Sequence, residues 1–114
     1  MTYLETYTSS LNNSSLSDSI TTTAKSVVSN IESRFDFTEP LTGLLLGNVQ
    51  SGKTGQMLGV ISHLADKGYR IFLLLTTDNI DLQRQTYNRV KSALTSFTVL
   101  SESDVVLFNP HNLI

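Results

Sequence analysis

The octapeptide Gly47-Asn48-Val49-Gln50-Ser51-Gly52-Lys53-Thr54 fits the pattern G-x-x-x-x-G-K-[ST], and no other stretch constrains this chain as tightly. Apolar Leu44-Leu45-Leu46 precedes it, and an amphipathic stretch opens at Thr54. A strand, a loop and a helix in that order are the setting such a spacing needs. Gly47 and Gly52 let the backbone turn tightly and approach an anion without Cβ overlap. Successive N–H groups, at the positive end of the following helix, then point at phosphate oxygens. Lys53 reaches the β- and γ-phosphates as a point charge, and the Thr54 hydroxyl is placed to ligate Mg²⁺. Gly47, Asn48, Val49, Gln50, Ser51, Gly52, Lys53 and Thr54 are therefore the expected nucleotide-binding residues, with ATP and Mg²⁺ as the expected ligands.

At 114 residues the chain holds one domain at most. An apolar fraction of 39% against 16% charged residues marks it as globular rather than disordered. With a net charge of −2 it lacks the global basic field of a purely electrostatic nucleic-acid binder. A motor that grips phosphates through amides and a few side chains is still compatible with that charge. Cysteine is absent, which removes disulfides, thiolate zinc sites and thiol nucleophiles together. His63 and His111 stand apart with no metal spacing around either, so packing or surface roles are expected for both. No apolar run approaches roughly 18 residues and the N-terminus shows no basic-then-apolar leader, so a cytoplasmic location away from membranes is expected.

The first 38 residues contain 16 Ser or Thr, which weakens any helix assigned there. Tyr3, Leu4, Tyr7 and Leu11 nevertheless fall at helical spacing, and Asn12-Asn13-Ser14-Ser15 would end such a helix. Ile20, Ala24, Val27, Val28, Ile31 and Phe35 form a helical stripe, predicting a helix over 18–35 with Ser17 as N-cap. That helix would pack on the core or on a partner domain. A strand is expected over 41–47 and a helix over 53–67, with Met57, Leu58, Ile61, Leu64 and Ala65 inside and Gly68 at C′. The continuous run Ile71-Phe72-Leu73-Leu74-Leu75 within 69–76 suits a parallel strand covered on both faces. A helix over 79–95 follows, with Asp78 as N-cap, and then short strands near 97–100 and 105–108. The alternation predicts an α/β protein built on a βαβ parallel sheet. Its organisation reads as a Ser/Thr-rich helical segment, 1–39, followed by a partial phosphate-loop domain, 40–114.

Two features together resemble the first half of a superfamily-two helicase motor. They are Q-S-G-K-T at 50–54 and T-T-D-N-I-D-L-Q-R-Q-T at 76–86. In that superfamily a strand ends in a small polar residue and a helix then opens with Leu-x-x-Gln, matched here by Leu82 and Gln85. The resemblance implies a RecA-type P-loop NTPase fold, incomplete as a fragment. It also implies that Thr76, Thr77 and Gln85 contact a nucleic-acid backbone. More narrowly, L-L-L-G-N-V-Q-S-G-K-T-G-Q, A-D-K-G-Y-R-I-F-L-L-L and L-Q-R-Q-T are similar to bacterial helicase-like ATPases carrying a Z-one domain of endonuclease type, linked to restriction and defence. The likeness spans about 43–94, under half the chain.

A hydrolytic site also needs an acidic residue at the end of a second strand, to hold the Mg²⁺ shell and orient water. Asp78 follows two threonines and sits where a helix cap belongs, and Val105–Phe108 ends in uncharged Asn109. Arg84 and Arg89 read as a solvated helix face rather than an arginine finger. Phe35 and Phe37 lie where a base could stack, with core packing the simpler role for both. No catalytic residue is assignable, so turnover is expected to need a second motor domain and an effector outside these 114 residues. DNA is the expected partner of the longer protein, and self-association through an uncovered sheet edge is expected of this piece. The signatures of a GTPase, Asn-Lys-x-Asp and Asp-x-x-Gly, do not occur, nor does the Arg-rich lid of a small kinase. A nucleotide-binding or scaffolding piece without turnover of its own is the competing class.

Overall fold

The computed structural model describes residues 1–45, 53–75 and 79–101, with Lys53 described by its backbone alone. These residues form α1 (Tyr3–Ser9), α2 (Ser14–Arg34), α3 (Lys53–Asp66) and α4 (Ile80–Ala93). Among the described residues there is no strand and no sheet. The expected α/β architecture, a RecA-type βαβ parallel sheet, is thereby overturned. Its physical fault is that apolar composition selects a covered environment, whereas a strand exists only through hydrogen bonds to a neighbouring strand. Residues 41–45 are all exposed and form no ladder. Residues 71–75 are likewise irregular, with Ile71, Leu73 and Leu75 exposed at 86%, 86% and 92%. The strand expected at 97–100 is absent too, and the one at 105–108 lies outside the described residues.

The chain divides into two compact units, Met1–Phe72 and Leu73–Ile114. In the first, α1, α2 and α3 pack on one another. α1 starts because Thr2 is in the extended region and its hydroxyl accepts a hydrogen bond from Glu5 N at 3.0 Å. α2 starts four residues before the expected 18, because the Asn13 side chain accepts from Leu16 N at 3.0 Å and makes Asn13 the cap in place of Ser17. Ile20, Ala24 and Val28 of α2 are completely buried, one residue per turn along a single face. On α3, Leu58, Ser62 and Ala65 are buried. Full burial of an Ile, Val or Leu side chain contributes about 1.5–3 kcal/mol, so this seam is the main apolar stabilisation of the unit.

Glycine sets how closely the seam closes. A Cβ on Gly59 would overlap the Ile20 Cγ2, so α2 rests directly on the α3 backbone there. The Ser62 hydroxyl sits in the same seam, fully buried, and is satisfied by donating to Leu58 O at 2.9 Å. α3 ends as expected at Gly68, whose φ of 103° is open to glycine without strain. Gly68 N donates to Ala65 O and Tyr69 N to Leu64 O, the paired 5→2 and 6→1 bonds of a Schellman stop.

The second unit contains α4, capped by Asn79 rather than Asp78. The Asn79 side chain accepts from Leu82 N at 3.2 Å. Val90 of α4 and its C-cap Leu94 are buried, while the apolar Ile80 and Leu82 are exposed.

Candidate functional site

Lys53 is the first residue of α3 and Thr54 the second, so the last two residues of the motif open a helix of fourteen. Gly47, Asn48, Val49, Gln50, Ser51 and Gly52 lie outside the described residues. Thr54 is half-buried and Gly55 is buried. A helix begins with four backbone N–H groups that no intrahelical carbonyl accepts, and they carry the positive end of the helix dipole. A hydroxyl beside the leading amides of a helix is the kind of donor set that favours an anion.

Helices α1 and α2 brace this first turn from two sides. The Tyr7 hydroxyl donates to Gly55 O at 3.0 Å, in a buried contact between residues 48 apart in sequence. Gln56 Nε2 donates to Ser19 Oγ of α2 at 3.0 Å. The other amide atom, Gln56 Oε1, is buried and has no hydrogen-bond partner among the described residues. The sequence placed Tyr7 only on a helical stripe and gave Ser19 and Gln56 no role. A usable signal was present in the small residues Gly55, Gly59 and Ser62, which share one helix face and mark where another element can approach closely.

The other end of α3 is built differently. Asp66 accepts from Tyr3 N at 2.7 Å and Leu4 N at 3.3 Å, so its carboxylate caps α1. His63 Nδ1 stands 3.5 Å from the same carboxylate and, though buried, makes no hydrogen bond among the described residues. His111 lies outside the described residues. A half-open pocket of about 350 Å³ borders this end, between Glu5, Lys25, His63, Asp66 and Lys67. It opens 10 to 14 residues along the helix from Lys53, or about 15–20 Å. The pocket and the motif residues Lys53 and Thr54 therefore fall at opposite ends of α3. The motif carries the assignment, because the lining of the pocket mixes acids with bases and Asp66 is already occupied as a cap.

The remaining expectations divide. Thr76, Thr77 and Asp78 lie outside the described residues. Gln85 is exposed on α4, and Leu82, one turn before it, is 47% exposed. Arg84 and Arg89 are exposed as well, the solvated face expected of them. Phe35 and Phe37 are not core residues together. Their rings pair at 4.5 Å between centroids, tilted by 53°, and Phe37 is 76% exposed. Phe37 takes a φ of 66° in a turn that Asp36 closes, its carboxylate accepting from Thr38 N and Thr38 Oγ. Those hydrogen bonds, the hydroxyl's first, hold the Asp36 carboxyl below its usual range. No group of three His, Asp or Glu side chains among the described residues is placed to hold a metal ion. None of the described helices is long and apolar enough to cross a membrane. Compared with family models, with curated proteins and with solved structures, the chain matches none.

Proposed function

We propose that this chain binds a nucleoside triphosphate with Mg²⁺ at the junction of residues 47–52 and α3, as the ATP-binding portion of a nucleic-acid-dependent, helicase-like ATPase. One observation carries the reading: α3 begins at Lys53, so the motif runs straight into a helix N-terminus. The reading needs a loop, an ammonium and a helix start, and it does not depend on a sheet. Lys53 neutralises charge on the outer phosphates, and the amides of the loop orient the chain of phosphates. The Thr54 hydroxyl would hold Mg²⁺, which would supply charge neutralisation for the phosphates. Binding is as far as these residues go, since no acidic partner for hydrolysis is assigned. ATP turnover belongs to a longer cytoplasmic protein with further motor and effector parts.

The nucleic-acid side of the proposal rests on the resemblance of 76–86 and on α4. Gln85, Arg84 and Arg89 are exposed there and free to meet a phosphate backbone. DNA is the polymer we propose, in a restriction or defence setting. Titration calorimetry with Mg-ATP tests the core claim. Lys53→Ala removes a charge-assisted contact worth about 1.5–3 kcal/mol, so affinity falls about tenfold to a hundredfold or more. Unchanged binding in that variant would dismiss the role of Lys53. Gln85→Ala leaves nucleotide affinity alone and weakens stimulation of ATP turnover by DNA in the longer protein. Turnover measured with and without DNA separates a motor from a nucleotide-binding scaffold.

A further inference from the structure

Helix α1 is fastened to α3 at both of its ends. Its first amides, Tyr3 N and Leu4 N, are received by Asp66 in the last turn of α3. One turn further on, Tyr7 is 4% exposed and its hydroxyl reaches Gly55 O in the first turn of α3. The two anchor points on α3 are eleven residues apart, about 16 Å along the helix. Packing alone would be met by a phenylalanine at position 7, whereas a buried phenolic hydroxyl needs a partner and here finds a backbone carbonyl. Gly55 has no side chain to hold the ring away. It is joined directly to Thr54 and lies two residues from Lys53.

We infer that Tyr7 is a positioning residue for the proposed nucleotide site, with α1 serving as a strap that orients the first turn of α3. This inference rests on the nucleotide-binding reading given above. The peptide that accepts the Tyr7 hydroxyl belongs to the turn that presents Thr54 and Lys53. Its orientation therefore bears on how the Thr54 hydroxyl and the leading amides of α3 face an anion. The coupling is reciprocal. A triphosphate that orders the first turn must also tighten α1, by the same factor by which docked α1 raises affinity.

Two measurements on the full chain test this. In calorimetry with Mg-ATP, Tyr7→Phe keeps the ring, deletes the hydroxyl, and weakens binding about two- to tenfold, the worth of one hydrogen bond. Ser17→Ala is the matched control. It removes a part-buried bond from α2 to α1, Ser17 Oγ to Thr8 O at 3.1 Å, which does not involve Gly55, and leaves affinity within about twofold. In hydrogen exchange on the unaltered chain, saturating Mg-ATP slows the amides of residues 6–10 by the same two- to tenfold. A folded Tyr7→Phe variant that binds like the unaltered chain overturns the inference, and so does nucleotide binding without protection of α1. If Tyr7→Phe fails to fold, the exchange measurement decides alone. Lys53→Ala weakening binding while Tyr7→Phe does not would remove the strap and keep the site. An unaltered chain that binds no nucleotide would remove both.

Discussion

The seam between α2 and α3 and the run from Ile71 to Leu75 treat apolar residues in opposite ways. The seam draws on Ile20, Ala24 and Val28, spaced four apart among serines and threonines, and all three are completely buried. The run is five consecutive large apolar residues, and three of them are among the most exposed in the chain. Burial follows from having a partner of matching shape rather than from apolar density. A helix supplies its own backbone hydrogen bonds, so α2 needs only one flat neighbour. It finds that neighbour where Gly59 leaves the α3 backbone open to Ile20. An apolar segment outside a helix must recruit both a hydrogen-bonding neighbour and a cover, and Ile71, Leu73 and Leu75 are left largely uncovered.

The sharpest way to break this contrast is to truncate one side chain from each region. Ile20→Ala should cost about 2–5 kcal/mol in urea or thermal unfolding, because it opens a hole in a closed seam. Leu73→Ala should stay within about 0.5 kcal/mol, as expected for an exposed position. Equal losses would show that 71–75 is covered after all. A smaller effect, of unusual sign, is expected at Gly59. On an open helix face Gly→Ala gains about 1 kcal/mol. Here the added methyl meets Ile20, and we expect a loss of about 1–3 kcal/mol by the same assay.

The run itself offers a test that leaves stability aside. Exposed leucines in line favour association between copies. Sedimentation at rising concentration should therefore show oligomers that Leu73→Lys with Leu75→Lys shifts toward monomer. A monomer at all concentrations in the unaltered chain would end that expectation. The smallest effect lies in the turn after α2, where the buried stripe stops. The Asp36 carboxyl is held down by Thr38, so the turn is favoured at and above the ordinary Asp range of about 3.9 and loosens as pH falls through the lowered value. A carbon-detected NMR titration should place its midpoint below the usual range, and Thr38→Val should raise it.

Helix α3 and its stop were legible because their signals are local: a motif, a 3.6-residue stripe and a glycine at C′. α2 was legible for the same reason, and its start was misplaced only because Asn13 outcompetes Ser17 as a cap. The sheet was misread because pairing is non-local, and five apolar residues in a row fit a covered strand or an uncovered segment equally well. The contact of Tyr7 with Gly55 was out of reach for the same reason. Nothing near Tyr7 in the chain names a carbonyl 48 residues away. Within the candidate site, the proposed donors come from the order of residues alone. The braces on the first turn came only from packing.

Asp66 carries a practical consequence for handling the molecule. Met1 is exposed while the Tyr3 and Leu4 amides are held by that carboxylate, so a purification tag added ahead of Met1 should trail into solvent and leave the first helix in place. Trimming as few as three residues would do the reverse. It would strip the Tyr3 amide from a partly shielded anion and free the aromatic ring that leans on the start of the third helix.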